Sequence, residues 1–214
     1  MLPPPRGLQL LLQLPAAAAA PMWPVAFGSL SMQGRMNRME DAVSLRSAFC
    51  TWLDGSPMHL FAVFDGHGGS HVSALCRNRM HKFLAEELKR ERASFLVRRE
   101  HAIGGGGGGA WMEQTEEELA WRAALVRAFR RIHMQTALLC ACGRMGRPRC
   151  RFPRSIFSGM MGSTAVVAVL VRGHLVVANC GDSRAVLCRG DGGAPPIPLS
   201  DDHKIRVGFD ILLI

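Results

Sequence analysis

Apolar residues alternate or run together over 42–49 and 59–64, which predicts two β-strands. The second closes on Phe61-Ala62-Val63-Phe64 before a glycine-rich turn. From 71 to 88 the spacing changes, and the pattern through Val72, Leu75, Cys76, Arg79, Phe83, Leu84 and Leu88 predicts a helix. A second helix is predicted behind Thr115, which with Glu118 three residues later forms a capping-box signature; Leu119, Ala123, Val126, Phe129, Ile132 and Leu138 recur behind it at helical spacing. Residues 163–170, 174–179 and 185–188 are β-rich, and the Arg172-Gly173 turn between the first two predicts a hairpin. The order is strand, strand, helix, helix, strand, strand, strand. Strands in groups around a helix pair favour antiparallel sheets with helices packed outside them, an α+β arrangement.

Length and composition narrow this picture. A chain of 214 residues is one domain with appendages, and 48% apolar with 20% charged residues excludes wholesale disorder, collagen and coiled coil. The appendages are visible. Residues 1–28 form a low-complexity leader, expected to be disordered, whose apolar stretch is broken by Gln9 and Gln13 and falls short of the roughly 20 residues that span a bilayer. Six consecutive glycines, Gly104 to Gly109, mark a flexible insertion over 100–113.

Charge adds one feature. The formal net charge is +9, and residues 119–154 hold nine arginines and no acid, a run that attracts polyanions. With no tyrosine and 7% aromatics there is little material for a base-stacking surface, so nucleic acid is not expected as the main partner. The seven cysteines lack a disulfide or zinc spacing, Cys140, Cys142 and Cys150 included. A reducing compartment, cytoplasm or nucleus, is expected, with organelle targeting left open.

Candidate chemistry sits in three acidic turns at strand boundaries. They are Arg38-Met39-Glu40-Asp41, Asp65-Gly66-His67-Gly68-Gly69 and Gly181-Asp182-Ser183-Arg184. Carboxylates at such positions, with water and backbone carbonyls, make the ligand set of a hard divalent ion. A residue without Cβ, Gly66, lets its carbonyl approach an ion closely. Taken singly, each turn is also an ordinary connection, since Asp-Gly and Gly-Asp-Ser are common turn sequences.

Together and in order they resemble the metal-dependent protein serine/threonine phosphatases of type 2C. The resemblance rests on Gly34 with Met39-Glu40-Asp41-Ala42, on residues 61–69, on Gly162-Ser163-Thr164-Ala165, on residues 178–185 and on Leu-Ser-Asp-Asp-His-Lys at 199–204. Residues 40–90 are most similar to plant members. The resemblance implies an α-β-β-α layering, an antiparallel β-sandwich flanked by helix pairs. It implies hydrolysis of phosphoserine and phosphothreonine in phosphorylated proteins with two Mg²⁺ or Mn²⁺ ions, Asp65 bridging them, the Gly66 carbonyl binding one, and Glu40 and Asp41 reaching the site directly or through water. Asp182 matches a further, weaker metal position, and His67 matches the general acid that protonates the departing seryl or threonyl oxygen. A monomer with no membrane partner is expected.

Two departures accompany it. Where many members carry a phosphate-binding arginine four residues before Glu40, this chain has Met36; Arg35 and Arg38 are the neighbouring candidates for substrate phosphate. After Lys204 the similarity stops, and residues 205–214 read as a divergent apolar tail. The chain is therefore expected to hold residues 29–204 of a catalytic domain that is incomplete at its C-terminus. Two further aspartates implied by the family are absent, and Asp201, Asp202 and Asp210 are not in the context to replace them. Such a chain could instead act as a non-catalytic binding or regulatory protein, or through its basic segment as a polyanion binder.

Overall fold

The computed structural model of the chain describes residues 25–102, 110–138, 161–190, 193–203 and 210–213, with backbone alone for 99–102, 110–115 and 210–213. The leader up to residue 24, the glycine run, the basic stretch 139–160 with its three cysteines, and residues 204–209 lie outside them. The elements are β1 (Ala42–Thr51), β2 (Pro57–Phe64), β3 (Gly66–His67), α1 (His71–Ala102), α2 (Ala110–Thr136), β4 (Gly162–Ser163), β5 (Ala165–Val171), β6 (His174–Cys180), β7 (Val186–Leu187), β8 (Ile197–Pro198) and β9 (Asp210–Leu213).

The larger sheet has five strands in the order β1-β2-β5-β6-β9, each antiparallel to its neighbour. Two tight connections build it. Between β1 and β2, Asp54 accepts hydrogen bonds from the Ser56 N–H (3.0 Å) and Oγ (2.7 Å). Between β5 and β6, Arg172 and Gly173 both take positive φ, 49° and 79°, the mirror-image turn whose twist suits a hairpin. β9 adds Asp210–Leu213 to the free edge of β6, so part of the expected divergent tail belongs to the sheet.

One face of the sheet carries the core. Leu60, Ala62 and Phe64 of β2, Val167, Val169 and Val171 of β5, and Val176 and Ala178 of β6 point the same way, as the twofold period of a strand requires. An antiparallel hairpin of α1 and α2 covers them with Met80, Leu84 and Leu88 from α1 and Trp121, Leu125 and Ala128 from α2. Trp121 also meets Trp52 edge-on, with ring centroids 5.7 Å apart. On the other face Val166 and Val177 pack with Leu199, Ala185 and Leu187 from the segment that carries the short β7–β8 ladder. Sheet, helix pair and second apolar face give the α+β layering expected. Among the described residues no helix is long and apolar enough to cross a membrane.

The helices depart from their expected limits. α1 continues past Leu88 to Ala102, and α2 starts at Ala110, ahead of the Thr115 cap, so both enter the stretch 100–113 expected as an insertion. The buried stripe of α2 is also rotated from the expected one: Ala120, Trp121, Ala124, Leu125, Ala128, Phe129 and Ile132 face inward, while Leu119 and Leu138 are exposed. Small alanines let α2 approach α1 closely, and that approach sets the buried face.

Ionic contacts hold the outer half of this helix pair. Glu87 is fully buried and accepts from Arg90 (3.0 Å), Arg127 (2.9 Å) and Arg131 (2.8 Å). Arg127 also binds Glu91, Arg131 binds Glu86 at 2.5 Å, and the Arg131 guanidinium lies 4.1 Å from the Phe83 ring centroid. Burial alone would raise the Glu87 carboxyl, but the hydrogen bonds from Arg127 and Arg131 and the charges of Arg90 and Arg131 hold it below the usual glutamate range.

Candidate active site

The antiparallel order places the start of β1, the end of β2, the start of β5 and the end of β6 on one rim of the sheet, since Ala42 pairs with Phe64 and Ala165 with Cys180. Asp41, Asp65 and Asp182 extend from that rim, one from each of three separate connections. All three are exposed at the surface.

The carboxylates feel one another. The Asp65 carboxyl lies above the ordinary aspartate range through partial desolvation, then through the facing charges of Asp41 and Asp182 and a hydrogen bond with the Asp41 side chain; His67 acts in the opposite direction. Four of the residues singled out from the sequence thus share one electrostatic neighbourhood. The imidazole of His67 lies over Gly162, where a Cβ would stand 2.3 Å from Nε2. β3 and β4 pair these two residues directly.

Glu40 enters through its main chain. Its carbonyl accepts from the Oγ of Ser73, a fully buried residue of α1. Gly66 packs against the same carbonyl: a Cβ there would lie 2.2 Å from the Glu40 oxygen and 2.8 Å from Ser73 Oγ. Glycine is therefore required at 66 by close packing on the Glu40–Asp41 backbone, a reason separate from the carbonyl approach expected for it. Gly66→Ala should lower the stability of the fold by about 3 kcal/mol, the upper end for overpacking, because the clash with the Glu40 carbonyl is with backbone that cannot swing aside. Urea unfolding measures this; an unchanged midpoint would contradict the packing.

The third turn is clamped from behind. Asn179, buried, donates through Nδ2 to the carbonyls of Gly181 (3.0 Å) and Asp201 (2.7 Å). The His203 N–H donates to the Gly181 carbonyl at 2.9 Å, and Arg184 holds Asp202 through two 2.7 Å bonds. The Asp202 carboxylate is thus engaged by Arg184. Arg35 and Arg38 are exposed on the turn around Gly34, and neither makes an ion pair with a described residue.

Among the described residues no three His, Cys, Asp or Glu side chains stand close enough to enclose a metal ion by themselves. The donors on the rim are oxygens, and their mutual repulsion at Asp65 is what a cation would relieve. Mg²⁺ keeps several waters and takes only one or two carboxylates, so an open, all-oxygen rim of this kind fits a hydrated hard ion. The four described cysteines, Cys50, Cys76, Cys180 and Cys188, are free; burial pushes the Cys50 and Cys76 thiols up to about 12, which makes them inert.

Sequence reasoning assigned no role to Thr164 and Ser183, whose hydroxyls lie 2.6 Å apart between the second and third turns. Their one signal was position, within the motifs 162–165 and 178–185.

Comparison with known proteins follows the same residues. Positions 25–104 and 113–207 match the family described as protein phosphatase 2C. A rice protein (Oryza sativa subsp. japonica), probable protein phosphatase 2C 37, is 56% identical over 191 residues, which cover 88% of this chain and 38% of the rice protein. Probable protein phosphatase 2C 75 of Arabidopsis thaliana is 40% identical over 188 residues, 83% of this chain and 39% of that protein. This chain thus spans about two fifths of the length of these relatives. The crystal structure of a serine-threonine phosphatase 2C from Toxoplasma gondii superposes with a TM-score of 0.53 at 20% identity, covering 79% of this chain and 47% of that one, a likeness of fold.

Proposed function

This chain belongs to the protein phosphatase 2C family, and from that membership we propose that it takes part in the metal-dependent hydrolysis of phosphoserine and phosphothreonine in proteins. The observation that supports the reading is the convergence of Asp41, Asp65 and Asp182, from three separate connections, beside His67. In this reading Asp65 and Asp41 hold Mg²⁺ or Mn²⁺ with the Gly66 carbonyl and Glu40, and Asp182 serves a weaker position. When bound, paired ions acidify a shared water and neutralise charge on the phosphoryl oxygens.

The protein groups supply the rest. Asp65, short of countercharge, offers its carboxylate to cations and repels other anions. His67 is exposed on the rim, where its ring is free to hand a proton to the departing seryl or threonyl oxygen, a poor leaving group as an alkoxide. Arg35 and Arg38, which make no ion pair with a described residue, are the guanidiniums assigned to the substrate phosphate.

The test uses the purified chain and a phosphothreonine peptide, with Mn²⁺ or with a chelator. Phosphate release that requires Mn²⁺ is the expected result. A folded chain that releases none at saturating Mn²⁺ would overturn the catalytic reading in favour of a non-catalytic phosphoprotein-binding role.

A further inference from the structure

The main ladder of the sheet is interrupted at one point on each of two neighbouring strands. β2 ends at Phe64 and β3 starts at Gly66, leaving Asp65 between them; β4 ends at Ser163 and β5 starts at Ala165, leaving Thr164 between them. Asp65 and Thr164 face each other across this break. The Thr164 N–H donates to the Asp65 carbonyl at 2.8 Å, as a regular ladder would have it. The returning bond is different: the Asp65 N–H donates at 3.1 Å to the side-chain Oγ1 of Thr164. The Thr164 carbonyl, released from the ladder, accepts instead from Ser163 Oγ at 2.7 Å.

That hydroxyl has a second partner. Thr164 Oγ1 and Ser183 Oγ lie 2.6 Å apart, and either can donate. Ser183 is the residue after Asp182. The methyl side of the same threonine fits Gly181, which has φ 107° and where a Cβ would stand 2.7 Å from Cγ2. One side chain therefore touches the backbone of Asp65 through its hydroxyl and the Gly181–Ser183 turn through both its hydroxyl and its methyl. Valine would keep the packing and lose the hydrogen bonds; serine would do the reverse.

We propose that Thr164, with Ser183, is a positioning residue that fixes the Asp65 backbone relative to the Asp182 turn, and so sets how the two carboxylates present themselves to a divalent cation. The inference rests on the metal-dependent reading above. Its test has two readouts that do not require turnover: Mn²⁺ affinity by calorimetry, and hydrogen exchange of the Asp65 amide, which is the donor to Thr164 Oγ1. Thr164→Val should weaken Mn²⁺ binding by about 10- to 100-fold, the usual effect of removing a group that orients a metal ligand. It should also speed exchange at Asp65, while its melting temperature falls no further than that of Ser163→Ala. Thr164→Ser should restore Mn²⁺ affinity to within about threefold, and Ser183→Ala should add little in the Thr164→Val background, because the two hydroxyls act as one unit.

Thr164→Val that binds Mn²⁺ as tightly as the wild type would overturn the proposal, as would a loss of affinity matched by Ser163→Ala, which marks a general loosening of the fold. A wild type with a protected Asp65 amide that binds no Mn²⁺ is a different failure: it removes the metal reading itself, and the positioning role with it.

Discussion

Asp65→Asn is expected to abolish Mn²⁺-dependent phosphate release while raising the melting temperature of the metal-free chain. The two effects share one cause. Asp65 is partly desolvated and faces the charges of Asp41 and Asp182, so its ionised form is held against repulsion. A folded-state pKa above the unfolded one means that the ionised carboxylate destabilises the fold at neutral pH, and that this cost fades as the pH falls through the folded pKa and is gone below the unfolded one. Asparagine has the same shape without the charge and relieves the repulsion wherever Asp65 would be ionised. The same change removes an anionic ligand oxygen, and loss of a direct ligand should exceed the 10- to 100-fold effect of losing a supporting one, roughly 100-fold or more in Mn²⁺ affinity. Calorimetry with Mn²⁺ and a thermal melt in chelator check both halves. Equal metal affinity, or a lower melting temperature in chelator, would contradict the assignment of Asp65 as a carboxylate poised for a cation.

The second large effect is expected far from that rim. Replacing Arg127 and Arg131 by Met leaves the fully buried Glu87 with only Arg90, whose side chain is 69% exposed. Breaking a buried ion pair from one side costs about 3–5 kcal/mol, and because these guanidiniums are themselves about a third exposed and screened, the lower end, about 3 kcal/mol, is expected. The pH dependence gives the sign. In the wild type Glu87 is depressed, so its contribution is complete above the unfolded glutamate pKa and is lost as pH falls through the folded one. In the double variant burial with Arg90 as the one remaining partner pushes Glu87 up, so its penalty is present at neutral pH and relieved in acid. The stability gap between the two proteins should therefore narrow toward pH 4, and adding Glu87→Leu to the double variant should recover most of the loss at pH 7. Urea unfolding at several pH values decides it; a gap that widens in acid would show that Glu87 is not the carboxylate the arginines hold.

The sequence made the strands legible where their two faces differ or both are apolar. β2, β5 and β6 end within a residue or two of expectation because Phe61–Phe64 and the valine-rich 166–171 run between turn residues. The first helix showed its inner face through Val72, Leu75, Cys76, Phe83, Leu84 and Leu88, all buried, though Arg79 in that series is exposed and Met80 takes the inward place. Its second half was missed because Lys89 to Arg92 carry no apolar stripe; cross-helix pairs such as Arg127 with Glu91 hold that stretch, and they depend on a neighbour some 36 residues away. In α2 the eye follows Leu119 and Leu138, whereas alanines at 120, 124 and 128 make the contact. For the site, Asp41, Asp65, Asp182 and His67 were visible as acidic or glycine-rich turns at strand ends. The hydroxyls of Thr164 and Ser183 were not, since a threonine in a β-rich run has no local mark of a bond to another turn.

The interrupted ladder also bears on how the chain reaches this structure. The bond between Asp65 and Thr164 joins residues 99 positions apart, with the whole helical hairpin between them. The β1–β2 and β5–β6 hairpins close over short turns and can form early, but the seam between them waits on a long loop closure, which places this topology among slower folders than a helical bundle of equal size. Asp41 and Asp65 face each other once the β1–β2 hairpin forms, whereas Asp182 joins them only when that seam shuts. The Asp182 part of the repulsion is then absent from most of the folding route, so relieving that part should slow unfolding far more than it hastens folding.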